Sequence, residues 1–353
     1  MMQDLSGAGL PEPDLGAGSQ VSQPRRLDCL RDVHLVWSNL FIAGAGGAGA
    51  DGAGVRCATI FDWGVREAMA RVADYPGLSA YAGIERRGDD LVVSRAKLAR
   101  AITVPGPVMF ATSDQPHNWG MWLTYVLPAV LHFIAHRSSY SRLFVYADHP
   151  NMRAMLRLLG LRAADVLLHD CSVAHHFEEV HVFRQPRRDL HVSAAMLEGY
   201  AVLRRRVLGS LVPPHGDRLY VSRRRRTAEL GSYRGLMNEA ELIDQLRPLG
   251  FSPIDPEYLP AEEQVALFAG ARQVVALGGA GAFNVVFCDP DTRFVDIESS
   301  LTHLRNHTDL FASCGLDYGL LIGREDPDDP APNNKRWSID AARAAAAVAA
   351  FMT

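Results

Sequence analysis

The segment VVALGGAGAFN, residues 274–284, combines the residue types needed to hold an anion. Four apolar residues, Val274 to Leu277, lead into Gly278, Gly279, Ala280 and Gly281, and a small-residue helix start then runs into Asn284. Glycines at such a place let the backbone turn sharply and approach a ligand closely. The helix that begins next offers free N–H groups and a positive dipole end, which suit a phosphate. The alternative is a tightly packed strand-to-helix turn with no ligand. Arg223 follows the apolar run beginning at Leu219, and Arg234 sits in a loop before the helix cap Asn238. A guanidinium can grip a diphosphate through paired hydrogen bonds. Arg224, Arg225 and Arg226 complete a run that reads as a solvated face. Glu298 lies just past another strand end, where a carboxylate can accept hydrogen bonds from ribose hydroxyls or simply stand as a surface acid.

Proton transfer needs a different set. Asp114 and His117 lie in the polar loop TSDQPHN, residues 112–118, between a short strand and a long helix. Histidine titrates near working pH, whereas aspartate would act as a base by position. Either residue can instead serve as a cap or a backbone partner. His303 and His307 share a helix face at i, i+4, a spacing that can hold a metal, but no third ligand is evident and no metal is expected.

These groups require strands that end at one edge and helices that return the chain. The order of apolar runs and amphipathic stretches supplies them. Strands are expected at 108–111, 143–146, 166–168 and 180–183, with helices at 118–136, 152–159 and 192–209. A second series follows, with strands near 219–222, 251–254, 274–277, 294–297 and 318–322, and helices between them. Strands alternating with helices predict an α/β fold with parallel sheets. Residues 27–105 read as irregular with short strands. The run AGAGGAGADGAG at 43–54 reads as a loop, and PPHGD at 213–217 as a linker.

Composition bounds the remaining possibilities. The 353 residues fit two domains, and 48% hydrophobic with 22% charged residues is ordinary for a globular protein. A net charge of −4 gives no reason to expect nucleic-acid binding. Five scattered cysteines form no C-x-x-C pair, so a reducing cytoplasm is the expected setting. No apolar run reaches membrane-spanning length, and the Gly-, Pro- and Ser-rich start is expected to be disordered.

In order and spacing, several segments resemble glycosyltransferase family 61. They are Tyr220-Val221-Ser222-Arg223, Arg234, Asn238-Glu239, Gly250-Phe251, Glu263-Gln264, and Gly279-Ala280-Gly281 closed by Asn284 and Phe287. A weaker match is Asn118-Trp119-Gly120-Met121-Trp122 followed by Val126-Leu127-Pro128, which resembles the family's N-x-x-H-W helix. Met121 and Gly278 stand where the family has, or often has, histidine, and Tyr125 where an acid is common. These departures point to altered specificity or to loss of activity.

The resemblance implies a GT-B-like architecture, two facing Rossmann-like domains with a cleft between them. Under it, residues 1–24 form a disordered leader and 25–212 an acceptor-side domain. Residues 213–330 form the nucleotide-sugar-binding domain, and 331–353 a helix packing back on the N-terminal domain. It further implies inverting transfer from a UDP-linked sugar to a glycan or other hydroxyl acceptor in polysaccharide biosynthesis, with no metal or other cofactor. Donor contacts would fall to Arg223, Arg234, Gly278, Gly279, Ala280, Gly281, Asn284 and Glu298. Asn118, Trp119 and Trp122 would lie on the acceptor side, with Asp114 or His117 as base. Two rivals stand beside it. Gly279-x-Gly281-x-x-Asn284 approaches the dinucleotide fingerprint of NAD(P)-dependent oxidoreductases, though the third glycine is missing. The other rival is a non-catalytic nucleotide-sugar-binding relative of a transferase.

Overall fold

The computed structural model describes residues 2–5, 26–43, 54–56, 58–59, 83–87, 90–184, 191–209, 216–229, 231, 234–299, 304–331 and 335–353. It is mixed α/β with parallel sheets, as expected. The chain divides into two compact units. One joins Met1–Gln23 to Leu190–Thr353, and the other is Pro24–Asp189.

The first of these, the C-terminal unit, is built on a six-stranded sheet. In spatial order the strands are Met2–Asp4, Asp317–Ile322, Arg293–Glu298, Gln273–Leu277, Arg218–Val221 and Ser252–Ile254. Every neighbouring pair is parallel. Parallel strands need covering on both faces, which explains the continuous apolar runs in the central ones. Val275, Leu277, Val295 and Ile297 point to one face. There they pack with Leu242 and Leu246 of helix Glu239–Leu246 and with Ala344 and Val348 of helix Ala341–Met352. Phe294 points the other way, against Phe311 of helix Leu304–Ser313 at 4.6 Å between ring centroids.

Three expectations change here. Met2–Asp4 is an edge strand paired with Tyr318–Leu320, so the disordered leader does not hold for these residues. Most of the rest of 1–24 lies outside the described residues. Helix Ala194–Leu208 belongs to the C-terminal unit, where Tyr200 meets Phe287 edge-on at 5.9 Å. The division therefore falls at 189/190 rather than at 212/213. The C-terminal helix, expected to pack back on the N-terminal domain, covers its own unit's sheet. Its last carbonyls, Phe351 O and Met352 O, accept hydrogen bonds from Arg293 and Gln273.

The N-terminal unit holds a seven-stranded sheet. Its order is Val166–Leu168, Arg142–Val145, Ile102–Ala111, His175–Phe183, Leu27–Val36, Leu40–Ala43 and Ala58–Thr59. The first four strands run parallel, and the pairings beyond them are antiparallel. The parallel set is thus extended on one side by antiparallel strands. The ten-residue strand Leu27–Val36 also replaces part of the region read as irregular, and residues 44–53 lie outside the described set.

Candidate active site

In the C-terminal unit the chemistry gathers at the carboxyl ends of three adjacent strands, the usual ligand edge of such sheets. Arg218–Val221 ends in Ser222 and Arg223. Their positions are fixed by Glu239, a buried acid in the first turn of helix Glu239–Leu246. Its Oε1 accepts from Ser222 Oγ at 2.7 Å, the Arg223 N–H at 3.0 Å and Tyr220 OH at 3.2 Å. Burial raises the Glu239 carboxyl above its ordinary range, and these three donors oppose that shift. The Arg223 side chain then reaches the next strand end, donating from Nη1 to Gly278 O at 2.5 Å.

The glycine turn is shaped by what surrounds it. A Cβ on Gly278 would lie 2.2 Å from the Glu298 carboxyl atoms. Gly279 has φ of +151°, and a Cβ there would lie 2.9 Å from Arg223 Nη1. Gly281 faces Pro256 and Val221, with contacts of 3.2 and 3.3 Å for an added Cβ. Gly279, Ala280 and Gly281 keep partial exposure, while Gly278 is buried. Asn284 is fully buried, and its amide donates to Gln264 Oε1 and Gly281 O, each at 3.1 Å. It ties the turn to helix Ala261–Gly270.

Glu298 has no exposed surface. Arg234 Nη2 donates to its Oε2 at 3.2 Å, and His307 Nδ1 bonds its Oε1. The carboxylate therefore orients Arg234 and His307 instead of standing open at a surface. Arg234 adopts φ of +52°, an uncommon conformation for a side-chain-bearing residue, and Trp337 Nε1 donates to its carbonyl at 3.0 Å. Such strain costs about 1–3 kcal/mol and concentrates at functional sites. Asp296, two residues before Glu298 on the same strand face, is also fully buried. Tyr318 OH donates to its Oδ2 at 3.5 Å, while its Oδ1 has no hydrogen-bond partner among the described residues. Burial first, and then the Glu298 charge, pushes the Asp296 carboxyl well above the carboxylate range.

No third ligand is evident in the sequence near His307, yet the fold brings Asp296 and Glu298 to it, with ligand atoms within 4.8 Å of one another. Cys29, Glu179 and His181 form a second such group in the N-terminal unit. In both, an arginine already neutralises the glutamate, Arg234 at 3.2 Å and Arg31 at 2.9 Å, which opposes a bound dication. His303 lies outside the described residues. Beside Ser222 opens a groove of about 450 Å³ lined by Arg224, Arg225, Ile243, Arg247, Pro253 and Asp255. Arg225 lies 3.5 Å over the Tyr258 ring. Two arginines of the run expected to be a solvated face thus line a concave surface.

In the N-terminal unit the parallel strands likewise end in polar loops. Asn118 caps a helix, its Oδ1 accepting from Gly120 N at 2.9 Å and Met121 N at 3.3 Å. Trp122–Val126 then winds as a π-helical turn. Pro128 lacks an N–H and would crowd the carbonyl four residues back, and the wider turn relieves this. Trp119 stacks on Trp122 with ring centroids 5.6 Å apart. Trp122 is fully buried, and its Nε1 donates to Tyr146 O at 3.0 Å. Asn118 and Trp122 are thus committed to the protein's own framework. Asp114 is 7% exposed, whereas the His117 side chain is 74% exposed. His117 meets Tyr146 and Asp148, two residues that sequence reading did not select. Their polar spacing in YADH, residues 146–149, just past a strand end, was the available signal.

A family model described as Glycosyltransferase 61 matches residues 96–295. The matched region takes in the Asp114–Trp122 segment, Arg223, Arg234 and the glycine turn, and stops just short of Asp296, Glu298 and His307. No curated protein matches the chain.

Proposed function

The chain belongs to glycosyltransferase family 61, and from that premise we propose that it moves a hexosyl or pentosyl group from a UDP-linked donor to a hydroxyl acceptor with inversion. The acceptor is a glycan under construction in polysaccharide biosynthesis, the setting is cytoplasmic, and no metal is required. Among the described residues, no helix is long and apolar enough to cross a membrane. Family membership displaces the oxidoreductase alternative.

The observation that carries the donor assignment is a pair of arginines whose guanidinium groups reach two neighbouring strand ends. Arg223 bonds the carbonyl of Gly278, and Arg234 bonds the carboxylate packed beneath Gly278. Two guanidinium groups beside an accessible turn suit a diphosphate, whose charge grows as it leaves. The base that takes the acceptor proton comes from the N-terminal unit, from the loop of Asp114 and His117.

Calorimetry with UDP tests the donor assignment. The wild type is expected to bind UDP and not NAD. Arg223→Ala should weaken UDP about tenfold to a hundredfold, the value of a charge-assisted hydrogen bond or two. Unchanged UDP affinity in a folded Arg223→Ala protein would remove Arg223 from the site. A wild type that binds NAD but not UDP would overturn the donor class.

A further inference from the structure

Strands Ile102–Ala111 and Arg142–Val145 are parallel neighbours, so the loops leaving their carboxyl ends emerge side by side. One loop carries His117, the other Tyr146 and Asp148. Tyr146 has a single hydroxyl hydrogen and donates it to Asp148 Oδ2 at 2.6 Å. The Tyr146 oxygen therefore faces His117 Nδ1, also 2.6 Å away, as an acceptor. Asp148 Oδ2 is a second acceptor for Nδ1, at 3.1 Å. Two acceptors at one ring nitrogen require a hydrogen on it, and in the neutral ring Nε2 then carries the lone pair. The Tyr146 oxygen is farther from Nε2, at 3.3 Å.

The partners are themselves held. Trp122 fixes the Tyr146 carbonyl, and Arg153 Nε donates to the Ala147 carbonyl at 2.7 Å. Asp148 is thus delivered by a segment pinned at two successive peptide groups. An aspartate that fixes the tautomer and direction of an imidazole turns it into an oriented base.

We propose that Asp148 and Tyr146 are positioning residues that hold His117, rather than Asp114, as the general base of sugar transfer. This rests on the transferase reading above. The acceptor hydroxyl gives its proton to His117 Nε2 while its oxygen bonds the anomeric carbon. The bond from that carbon to the diphosphate oxygen breaks, and its electron pair leaves with the nucleoside diphosphate. The imidazolium then releases the proton to water.

The test compares wild type, His117→Ala, Asp148→Asn and the double variant in turnover of a panel of UDP-sugars, in UDP affinity, and in the ring nitrogen NMR shifts of His117. Asp148→Asn should lower kcat about a hundredfold or more with UDP affinity unchanged. In the His117→Ala background it should add little, because the aspartate acts only through the ring. The nitrogen shifts should report the Nδ1–H tautomer in the wild type and move toward Nε2–H in Asp148→Asn. Near-normal turnover in Asp148→Asn, additive losses, or unmoved nitrogen shifts would each overturn the arrangement. A wild type that turns over no UDP-sugar while keeping the Nδ1–H tautomer would instead overturn the transferase reading, and the base role with it.

Discussion

Gly278→Ala is expected to destabilise the C-terminal unit by about 3–5 kcal/mol and to abolish UDP binding. Its backbone conformation is open to any residue, so the cost is steric rather than conformational. The new methyl would sit 2.2 Å from the Glu298 carboxyl atoms. Glu298 has no exposed surface, and both of its oxygens are bonded, one to Arg234 and one to His307. Displacing it breaks a buried ion pair and leaves Arg234 without its partner, the kind of loss that costs about 3–5 kcal/mol. A double-mutant cycle provides the measurement. In a Glu298→Ala background the methyl meets no carboxylate, and Gly278→Ala should cost less than about 1 kcal/mol. Equal costs in the two backgrounds, by urea unfolding, would show that Glu298 is not the obstacle. Gly281→Ala is the natural contrast, because its contacts of 3.2–3.3 Å are to Pro256 and Val221 side chains.

Acid should unfold the N-terminal unit well before most carboxylates titrate. His169 is buried against Phe144 and His175, with ring centroids 4.8 and 5.3 Å away. Its Nε2–H donates to Trp37 O at 2.7 Å. Burial, aided by the neighbouring His175, lowers its pKa from 6.5 to about 3. Between those values the unfolded chain binds a proton that the folded one refuses. The stabilisation is therefore complete above pH 6.5 and is lost progressively as pH falls toward 3. The shift corresponds to a loss on the order of 5 kcal/mol by the lower end. His175 is shifted the same way by its own burial. Below about pH 4, protonation of Asp165 adds to the loss. Its carboxyl is held down to about 2 by the Arg162 backbone N–H and by the Arg137 guanidinium. Denaturant unfolding at pH 7, 5.5 and 4.5 measures the slope. His169→Gln, which keeps a donor for Trp37, should flatten it by about one proton. An unchanged slope, or an NMR titration of His169 near pH 6, would contradict this account.

The strand at 274–277 and its neighbours are legible because strands buried on both faces are continuous apolar runs, and Val274 to Leu277 is one. Met2–Asp4 is not legible, because MQD carries no such pattern. That strand is specified by its edge partner, Asp317–Ile322, and not by its own side chains. The unit boundary was misplaced because Pro213 and Pro214 look like a linker. Only the packing of Ala194–Leu208 shows which side that helix belongs to. Arg223, Arg234 and the glycines were legible from type and spacing. Glu239 and His307 were picked out by motif and spacing, but their contacts with Ser222, Arg223 and Glu298 were not, since those contacts arise from where strands and helices bring them. Asp114 and His117 were both candidates as loop residues, with Asp114 slightly ahead, and the structure buries the first and exposes the second. Trp122 was legible as important, but its indole serves the Tyr146 carbonyl.

The pairing of Met2 with Tyr318 has a consequence for synthesis on the ribosome. The partners are 316 positions apart (318 − 2), and the whole of Pro24–Asp189 is made between them. At about 5–20 residues per second, the first strand waits roughly 15–60 s for its neighbour to emerge. During that wait the inserted unit has all of its own strands and can close independently. Nascent chains arrested after about residue 240 should therefore already protect the Pro24–Asp189 unit from protease while the Met2–Asp4 segment remains cleavable. Protection of that segment should appear only once Asp317–Ile322 has left the ribosome. The Met2–Asp4 strand, though made long before its partner, is then among the last of the described strands to find its place.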